Sequence, residues 1–360
     1  MSIVSFDRDR LLDMIALGRI AIDFNPEEYC KPWSECSSFK RYVGGSPANI
    51  AVGAARLGKK VGFLGCVSND VMGTCCKDFL EQEKVDVSHI FTAQHGESMP
   101  LAFTQVPSPE ESSLVMYRNH AADLALTAQQ VDKEYVQSAG MIVISGTALA
   151  ASPSREAALK AALLARKAGT VVVFDIDYRG YTWKDAEEIS VYYTLMGRMS
   201  DIIMGSREEY DIMDAVLAPG MEDRQTADRW LGENAKIVVI KHGRQGSDAY
   251  TGEGECYHVQ PFPVKAAEMV MPAAFYAHYW KVFRSMNAWN GAAHQRPCLW
   301  PVTAAAVSCL TGSSWKPLYI KKNSGMERLF PEGKAGTEDA KYTCICSADG
   351  RARRKRAGRF

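Results

Sequence analysis

The stretch GGSPANIAVGAARLG (residues 44–58) decides the fold class because it joins a pair of glycines directly to a helix. Pro47 suits the first helical position, Ser46 is expected to cap the helix, and Gly58 follows its last turn. The paired glycines let the backbone approach a ligand closely, and the helix start behind them offers free N–H groups. A simple tight turn before a helix is the alternative interpretation.

Short aliphatic runs alternate with helical segments along the chain around this stretch. Such alternation predicts an α/β fold in which a mainly parallel sheet is covered by helices on both faces. The runs interpreted as buried strands are MIALGRIAIDF (14–24), VGFLGCV (61–67), MIVISG (141–146), TVVVFDIDYR (170–179), DIIMGS (201–206) and AKIVVIKHG (235–243).

Two regions, about residues 20–45 and 98–120, break the alternation. In LAFTQV and SLVMYR, polar residues recur with a period of two, which predicts half-exposed strands of a small separate sheet. A small sheet beside a ligand-binding core often closes a site, so these strands are expected to form a lid. A homodimer through this lid is a further expectation.

Composition gives no reason to expect nucleic acid, a membrane or disorder as the dominant feature. Apolar residues make up 47% of the 360 residues, charged residues 23%, and the formal net charge is zero. The first residues carry too many charges for a signal peptide, and no apolar run is long enough to span a bilayer. The ten cysteines form no CxxC pair, which favours free thiols in a reducing cytoplasm.

With Asp23 on the preceding strand and GCVSNDVMG (65–73) after it, the glycine-rich stretch resembles the first signature of the ribokinase-like, phosphofructokinase B-type carbohydrate kinases. The resemblance covers about residues 10–265, the expected kinase domain, and implies a three-layer fold with a β-sheet lid. It also implies ATP and Mg²⁺ as cofactors. Carboxylate and amide groups suit a polyol, because one accepts from hydroxyls and the other both donates and accepts. The residues that the resemblance assigns to sugar binding are Asp23, Gly44, Gly45 and Asn49.

FDIDYRGYTW (174–183) resembles the D-x-N-x-R-x-x-L-W element of the family branch that handles keto-sugars and keto-deoxy acids, with Asp177 in place of Asn. By this resemblance, the sequences of this and other motifs imply a phosphotransferase that acts on 5-dehydro-2-deoxy-D-gluconate in myo-inositol catabolism. Arg118 and Arg179 are the implied contacts to the acid end. A surface ion pair is the alternative role for Arg179. Alternative substrates are 2-keto-3-deoxygluconate, fructose and ribose.

Two further motifs resemble the nucleotide side of the family's site. In MGSREEYD (204–211), Ser206 stands for the Asn of N-x-x-E and Glu209 is the acid that acts on magnesium. Stabilisation of a helix dipole explains the acidic pair Glu208 and Glu209 equally well. KHGRQGS (241–247) resembles a strand-end G-x-x-G, whose glycines permit close approach to phosphates. The residues assigned from it to the nucleotide are Lys241, Gly243 and Gly246.

The second family motif, a G-x-G-D whose Asp is the general base, is absent after Lys265. Its place near Glu268 and Met269 is taken by AAEMVMPAAFYAHYWKVF (266–283), so no catalytic residue is assigned. The later aspartates, Asp339 and Asp349, lie in no glycine-strand-helix setting. This chain is therefore expected to be a poor kinase, or a non-catalytic sugar-binding relative.

Residues 266–360 hold fifteen Lys plus Arg against six Asp plus Glu, and they end in RARRKRAGRF. A nucleic-acid or nuclear-import patch and a disordered basic tail are two interpretations. We favour a third, a frame-shift near Ala266. Back-translation in the alternative frame permits Gly-Asp-Gly-Tyr-Ala at residues 267–272 and forces Leu-Leu-Glu from His278-Tyr-Trp-Lys.

The segment at residues 266–360 is predicted to be aberrant and poorly ordered. The expected partners of the protein remain a sugar acid and ATP, without nucleic acid or membrane.

Overall fold

The computed structural model describes residues 4, 6–7, 9–28, 30–105, 107, 113–260, 319–322 and 325–328. The chain divides into two compact units, Met1–Ser313 and Ser314–Phe360. In the first unit the strands are β1 Leu12–Leu17, β2 Ala21–Pro26, β3 Phe39–Gly44, β4 Val61–Val67, β5 Val85–Thr92, β6 Leu101–Gln105, β7 Ser113–Tyr117, β8 Ala139–Ser145, β9 Val171–Asp175, β10 Ile202–Ser206, β11 Ile237–Lys241, β12 Ser247–Thr251 and β13 Cys256–Val259.

The second unit contains an antiparallel hairpin formed by β14 (Tyr319–Lys322) and β15 (Gly325–Arg328). Apart from this hairpin, the segment predicted to be aberrant, residues 266–360, lies outside the described residues. Its predicted poor order therefore stays a prediction, and so does the domain boundary at residue 265.

Nine strands form the large sheet, in the order β13-β12-β11-β10-β9-β8-β1-β4-β5. The pairs from β11 to β5 are parallel, whereas β12 and β13 add antiparallel strands at one edge. The mainly parallel sheet predicted from the sequence is confirmed. The strands β5 and β12 were missed because polar residues interrupt their apolar runs.

The helices cover both faces of this sheet, which gives the expected three layers. Side chains alternate along β1, so that Ile15 and Leu17 join one buried cluster while Met14 and Ala16 join the other. The helices are α1 Ser46–Arg56, α2 Val71–Gln82, α3 Lys133–Gln137, α4 Ser154–Ala168, α5 Ala186–Arg198, α6 Arg207–Asp214 and α7 Asp223–Glu233. Residues of α4 to α7 belong to the first cluster, and residues of α1 and α2 belong to the second.

The small sheet has the order β3-β2-β6-β7, so the predicted lid strands are confirmed. The run at residues 14–24 was wrong as a single strand, because it divides into β1 of the large sheet and β2 of the lid. The break falls at Gly18, whose φ of +145° disfavours other residues. A Cβ there would lie 2.8 Å from Cγ of Pro47, so glycine is also needed for packing.

The start of α1 differs from the prediction by one residue. Gly45, not Ser46, occupies the N-cap position, and no side chain caps the helix. The Ser46 hydroxyl instead donates a 3.4 Å hydrogen bond to Oδ2 of Asp175 at the end of β9. Gly58 follows the helix with a φ of +80°, as the sequence predicts. Among the helices of the described residues, none combines the length and apolar character needed to span a bilayer.

The helix α5 packs closely against α6 and α7 at Gly197, which predicts that a larger residue there lowers stability. A Cβ on Gly197 would lie 2.6 Å from both Cε of Met213 and Cζ3 of the fully buried Trp230. Gly197→Ala is therefore expected to lower the free energy of unfolding by about 1–3 kcal/mol through overpacking. Chemical denaturation measures the change. The control is Gly232→Ala in α7, where a Cβ meets nothing within 4 Å and stability should rise; equal effects of the two variants would contradict the prediction.

Candidate active site

The predicted site residues gather where several parallel strands end. Carboxyl ends of β1, β8, β9, β10 and β11 meet at one edge of the large sheet, and in open α/β sheets such an edge is the usual ligand crevice. The lid begins at the same edge, because β2 follows β1 after three residues. The fold therefore brings polar side chains together between the sheet edge and the lid, and this region is the candidate ligand crevice.

The glycine pair has two separate functions in this crevice. A Cβ on Gly44 would overlap the carboxylate of Asp23. The carboxylate therefore fills the space that a side chain at residue 44 would need. Gly45 has a φ of +98°, and a Cβ there would overlap the carbonyl oxygen of Arg19. The pair is thus more than a tight turn. Asn49 lies half-buried one turn into α1, where its backbone N–H donates to the carbonyl oxygen of Gly45.

Burial changes the acidity of Asp23. Because the carboxyl group is removed from water, its pKa rises to about 6, although the positive charge of Arg19 opposes the rise. Arg19 follows Gly18 at the break between β1 and β2 and is itself buried. The sequence prediction missed Arg19; the signal was a lone charge inside the apolar run ALGRIAI.

Asp177 and Arg179 form an ion pair with 2.6 Å between Oδ1 and Nη2. Burial alone would raise the pKa of Asp177, but the charges of Arg179, Arg19 and Lys241 and the hydroxyl of Ser145 lower it. Asp177 has a φ of +37°, a left-handed conformation in which Asn and Asp are the best tolerated side-chain-bearing residues. This explains why Asp can stand at a position where the family motif has Asn.

Arg118 lies just after β7 and is engaged by protein groups. Its guanidinium forms a buried ion pair with Asp123, with 3.1 Å between Nε and Oδ2, and donates through Nη2 to the carbonyl oxygen of Thr147. The Thr147 hydroxyl lies 2.6 Å from that of Ser145, which donates to Asp177. A continuous polar network thus joins the two predicted acid-end arginines.

A second buried network lies on the nucleotide side. The Nζ atom of Lys241 is 3.6 Å from Oδ1 of Asp175 and 3.5 Å from Oε2 of Glu209. Glu209 and Ser206 form a capping box at the start of α6, and Oε1 of Glu209 also accepts from the backbone N–H of Tyr178. The helix-capping role of Glu209 is therefore present. Asp175 was missed as a separate site residue, although it lies inside the quoted motif at residues 174–183.

The two glycines after β11 differ in their surroundings. Gly243 has a φ of +54° and open space where a Cβ would point, whereas a Cβ on Gly246 would overlap the carbonyl oxygen of Val259. Both conformations favour glycine. Between them and the strand lies His242, whose Nε2 is 3.2 Å from Asp223 and 3.3 Å from Asp248.

Within the described residues, the group of side chains close enough together to share one metal ion is Asp223, His242 and Asp248. Asp223 is also paired with Arg207, and Asp248 with His258. Glu209, the predicted magnesium residue, is not in this group. The positions near Glu268 and Met269, where the family motif would place its general base and this sequence has none, lie outside the described residues.

The family model for pfkB family carbohydrate kinases matches residues 12–270, which is most of the chain. The chain belongs to this family. It is a carbohydrate kinase by this membership, and the predicted resemblance is confirmed. A Clostridium perfringens relative named 5-dehydro-2-deoxygluconokinase is 56% identical over 265 residues, covering 74% of this chain and 78% of the relative. A Geobacillus kaustophilus protein of the same name is 46% identical over 289 residues, covering 80% and 86%.

Solved structures show the same fold. Fructokinase with bound ATP from Xylella fastidiosa has a TM-score of 0.66 at 20% identity and covers 84% of this chain and 87% of that chain. An E. coli protein named as a ribokinase II, in complex with ATP and Mg²⁺, has a TM-score of 0.66 at 23% identity and covers 83% and 98%. The ribokinase-like three-layer fold predicted from the sequence is confirmed.

The overlap at Gly44 generates a prediction about ligand binding. Gly44→Ala should displace the Asp23 carboxylate and abolish sugar binding, while the helices and both sheets remain folded. Isothermal titration with the sugar ligand measures the loss, and circular dichroism verifies the fold. Gly232→Ala serves as the control because it adds the same methyl group in open space; sugar binding retained by Gly44→Ala would refute the assignment.

The raised pKa of Asp23 predicts a pH-dependent stability. The carboxyl group titrates near pH 6 when folded and near its usual 3.8 when unfolded, so the folded state binds more protons between these values. Stability contributed by this group therefore falls as pH rises through that window and is constant above it. Asp23→Asn removes the titration. Its melting temperature should rise relative to the parent between about pH 4 and 6 and then keep a constant advantage.

Asp214 also has a pKa raised to about 6 by burial, but it titrates in both proteins and cancels in the difference. A melting-temperature difference between parent and Asp23→Asn that does not change with pH would contradict the assignment.

Proposed function

We propose that this kinase phosphorylates a keto-deoxy sugar acid with ATP, and that the acid is 5-dehydro-2-deoxy-D-gluconate, an intermediate of myo-inositol catabolism. The observation that carries the proposal is that a buried carboxylate, Asp23, and an ion-paired arginine, Arg179, lie at the same sheet edge, where Arg19 acts on Asp23 and donates to Tyr181 in the loop after Arg179. A carboxylate suits sugar hydroxyls and an arginine suits an acid group. The names of the two relatives support the choice of substrate.

The sugar hydroxyls would contact the carboxylate of Asp23, the backbone beside Gly44 and Gly45, and the amide of Asn49. A carboxylate whose pKa lies near 6 is ionised at neutral pH and accepts hydrogen bonds from hydroxyl groups. Above pH 6 the site should therefore hold a polyol more strongly than below it.

The acid end would be held by arginine. The side chain of Arg179 is 36% exposed, so its remaining donors can reach a ligand while Asp177 fixes its position. The side chain of Arg118 is 1% exposed and committed to Asp123. In this conformation, Arg179 is the better candidate for direct contact, and Arg118 supports the polar network behind it.

The nucleotide side fits ATP and Mg²⁺ by the chemistry of its donors. Lys241 brings a buried positive charge to the strand ends, and the exposed Gly243 keeps the backbone beside it accessible, whereas Gly246 is buried against the carbonyl oxygen of Val259. Glu209 would act on the metal through water, because both of its carboxylate oxygens already accept backbone N–H groups, one of them from Ser206. When bound, Mg²⁺ neutralises charge on the transferred phosphate.

Turnover by this chain should be low, because the G-x-G-D motif that supplies the general base is absent from its sequence. Loss of a general base costs roughly 10² to 10⁴ in rate. The same absence favours a second candidate function, a non-catalytic sugar-binding or regulatory protein that keeps the substrate half alone. We propose a frame-shift near Ala266 as the origin of the change.

The deciding experiment compares this chain with a version whose codons after residue 266 are read in the alternative frame. Both should bind the sugar acid in isothermal titration, and the restored version should phosphorylate it at least about 100-fold faster. A coupled assay of ADP release measures the rate. In the restored version, changing the Asp of Gly-Asp-Gly to Asn should return the rate to the level of this chain.

Equal rates in both versions would overturn the role proposed for the missing motif. Sugar binding without nucleotide binding or turnover in either version would favour the non-catalytic function. Titrations with 2-keto-3-deoxygluconate, fructose and ribose test the alternative substrates. Independent isolates with an intact AAEMVMP in frame would exclude a sequencing error. The homodimer through the lid and the cytoplasmic location stay predictions.

A further inference from the structure

Arg19 is a buried cation at the junction of the large sheet and the lid. Only 5% of its surface is exposed. Its Nη1 atom donates to the hydroxyl of Tyr181 at 2.8 Å and lies 3.9 Å from Sδ of Met116 on β7. The side chain therefore connects the strand end, the lid and the loop that carries Arg179.

The partners of Arg19 are weak for a buried charge. A phenol hydroxyl and a thioether are neutral acceptors, and the Nε atom is buried without a hydrogen-bond partner. Among the described residues, no carboxylate oxygen lies within 4.0 Å of its guanidinium nitrogens. A buried charge without an opposite charge is costly, so its presence needs an explanation.

The other two arginines of the crevice, one buried and one partly exposed, already have carboxylate partners. Arg118 is paired with Asp123, and Arg179 with Asp177. Arg19 acts on Asp23 and Asp177 only at longer range, where it lowers the pKa of both. Within the described crevice, Arg19 is thus the arginine without a carboxylate partner, and its charge adds to the donors that Arg179 has left for a ligand.

We propose that Arg19 binds the carboxylate of the sugar acid and determines the preference of the site for acids over neutral sugars. This inference rests on the proposed function and adds a residue to it. The hydroxyl of Tyr181 holds Nη1 in the free protein. Because Tyr181 is 49% exposed, it can move aside, and a ligand carboxylate then replaces it with a stronger, charge-assisted hydrogen bond.

A purely structural role is the competing explanation, in which Arg19 tethers the lid to the loop through Met116 and Tyr181. The two roles predict different effects of an Arg19 substitution on the affinity for an uncharged ligand. A tether affects acids and neutral ligands equally, whereas a carboxylate contact affects only the acid.

The test measures affinities of the full chain for 5-dehydro-2-deoxy-D-gluconate and for its carboxamide, which has the same shape without the charge. The parent should bind the acid more tightly. Arg19→Met should weaken acid binding by roughly 10- to 100-fold and leave carboxamide binding nearly unchanged. Arg198→Met is the matched control, because Arg198 is half-exposed on α5 and paired with Glu233.

Tyr181→Phe separates the two roles further. Removal of the competing hydroxyl should strengthen acid binding, whereas loss of a structural tether would weaken it. If Arg19→Met does not fold, Arg19→Lys takes its place, since lysine keeps the charge but loses the fork geometry and should retain only part of the preference.

An unchanged preference for the acid in Arg19→Met or Arg19→Lys would overturn the inference and leave the proposed function standing. Equal loss of both ligands, or weaker acid binding in Tyr181→Phe, would also overturn it in favour of the tether. If the parent chain binds neither ligand, or binds the carboxamide as tightly as the acid, the proposed substrate class fails and the inference fails with it.

Discussion

The crossing of two backbone segments, residues 18–20 and 44–47, is the constraint on which the crevice depends. The first segment leads the chain from the large sheet into the lid, and the second returns it from the lid into α1. They pack so closely that Gly18 has no room for a side chain beside Pro47, and Gly45 none beside the carbonyl of Arg19. The sheet, the lid and the first helix are therefore joined at one point, and Asp23 and Arg19 are positioned by it.

Acidic and basic side chains near this crossing are paired with one another. Acidic groups at the ends of β9 and in α6 meet Lys241, while Asp177 meets Arg179. The Lys241 pairs are buried and the Arg179 pair is partly buried, and such pairs add little net stability because desolvation opposes their attraction. Their arrangement fits the two anionic ligands proposed above, a sugar acid at one end of the crevice and a triphosphate at the other.

Much of the fold could be predicted from the sequence because its signals are local. Aliphatic runs indicated the central strands β4, β8, β9, β10 and β11, and the polar alternation of residues 98–120 indicated the lid. The division of residues 14–24 could not be predicted, because the run stays apolar on both sides of Gly18 while the chain changes sheets. The edge strand β5 and the strand β12, which lies next to the other edge, were missed because polar residues interrupt their apolar runs.

The candidate site was predictable where a motif marks it and hidden where contacts come from distant segments. Asp23, Gly44 and Glu209 lie in recognisable motifs. The commitment of Arg118 to Asp123 depends on a turn after β7, and the isolation of Arg19 depends on three separate elements. Neither pattern is visible in residue spacing.

The capping box of α6 joins the two halves of the crevice mechanically. Glu209 accepts one hydrogen bond from its own helix start and one from Tyr178, the residue between Asp177 and Arg179. The loop that carries Arg179 and the start of α6 are thus attached to a single side chain. A shift of either one would strain one of these two hydrogen bonds, so we expect a ligand bound at one end of the crevice to alter the position of the other end.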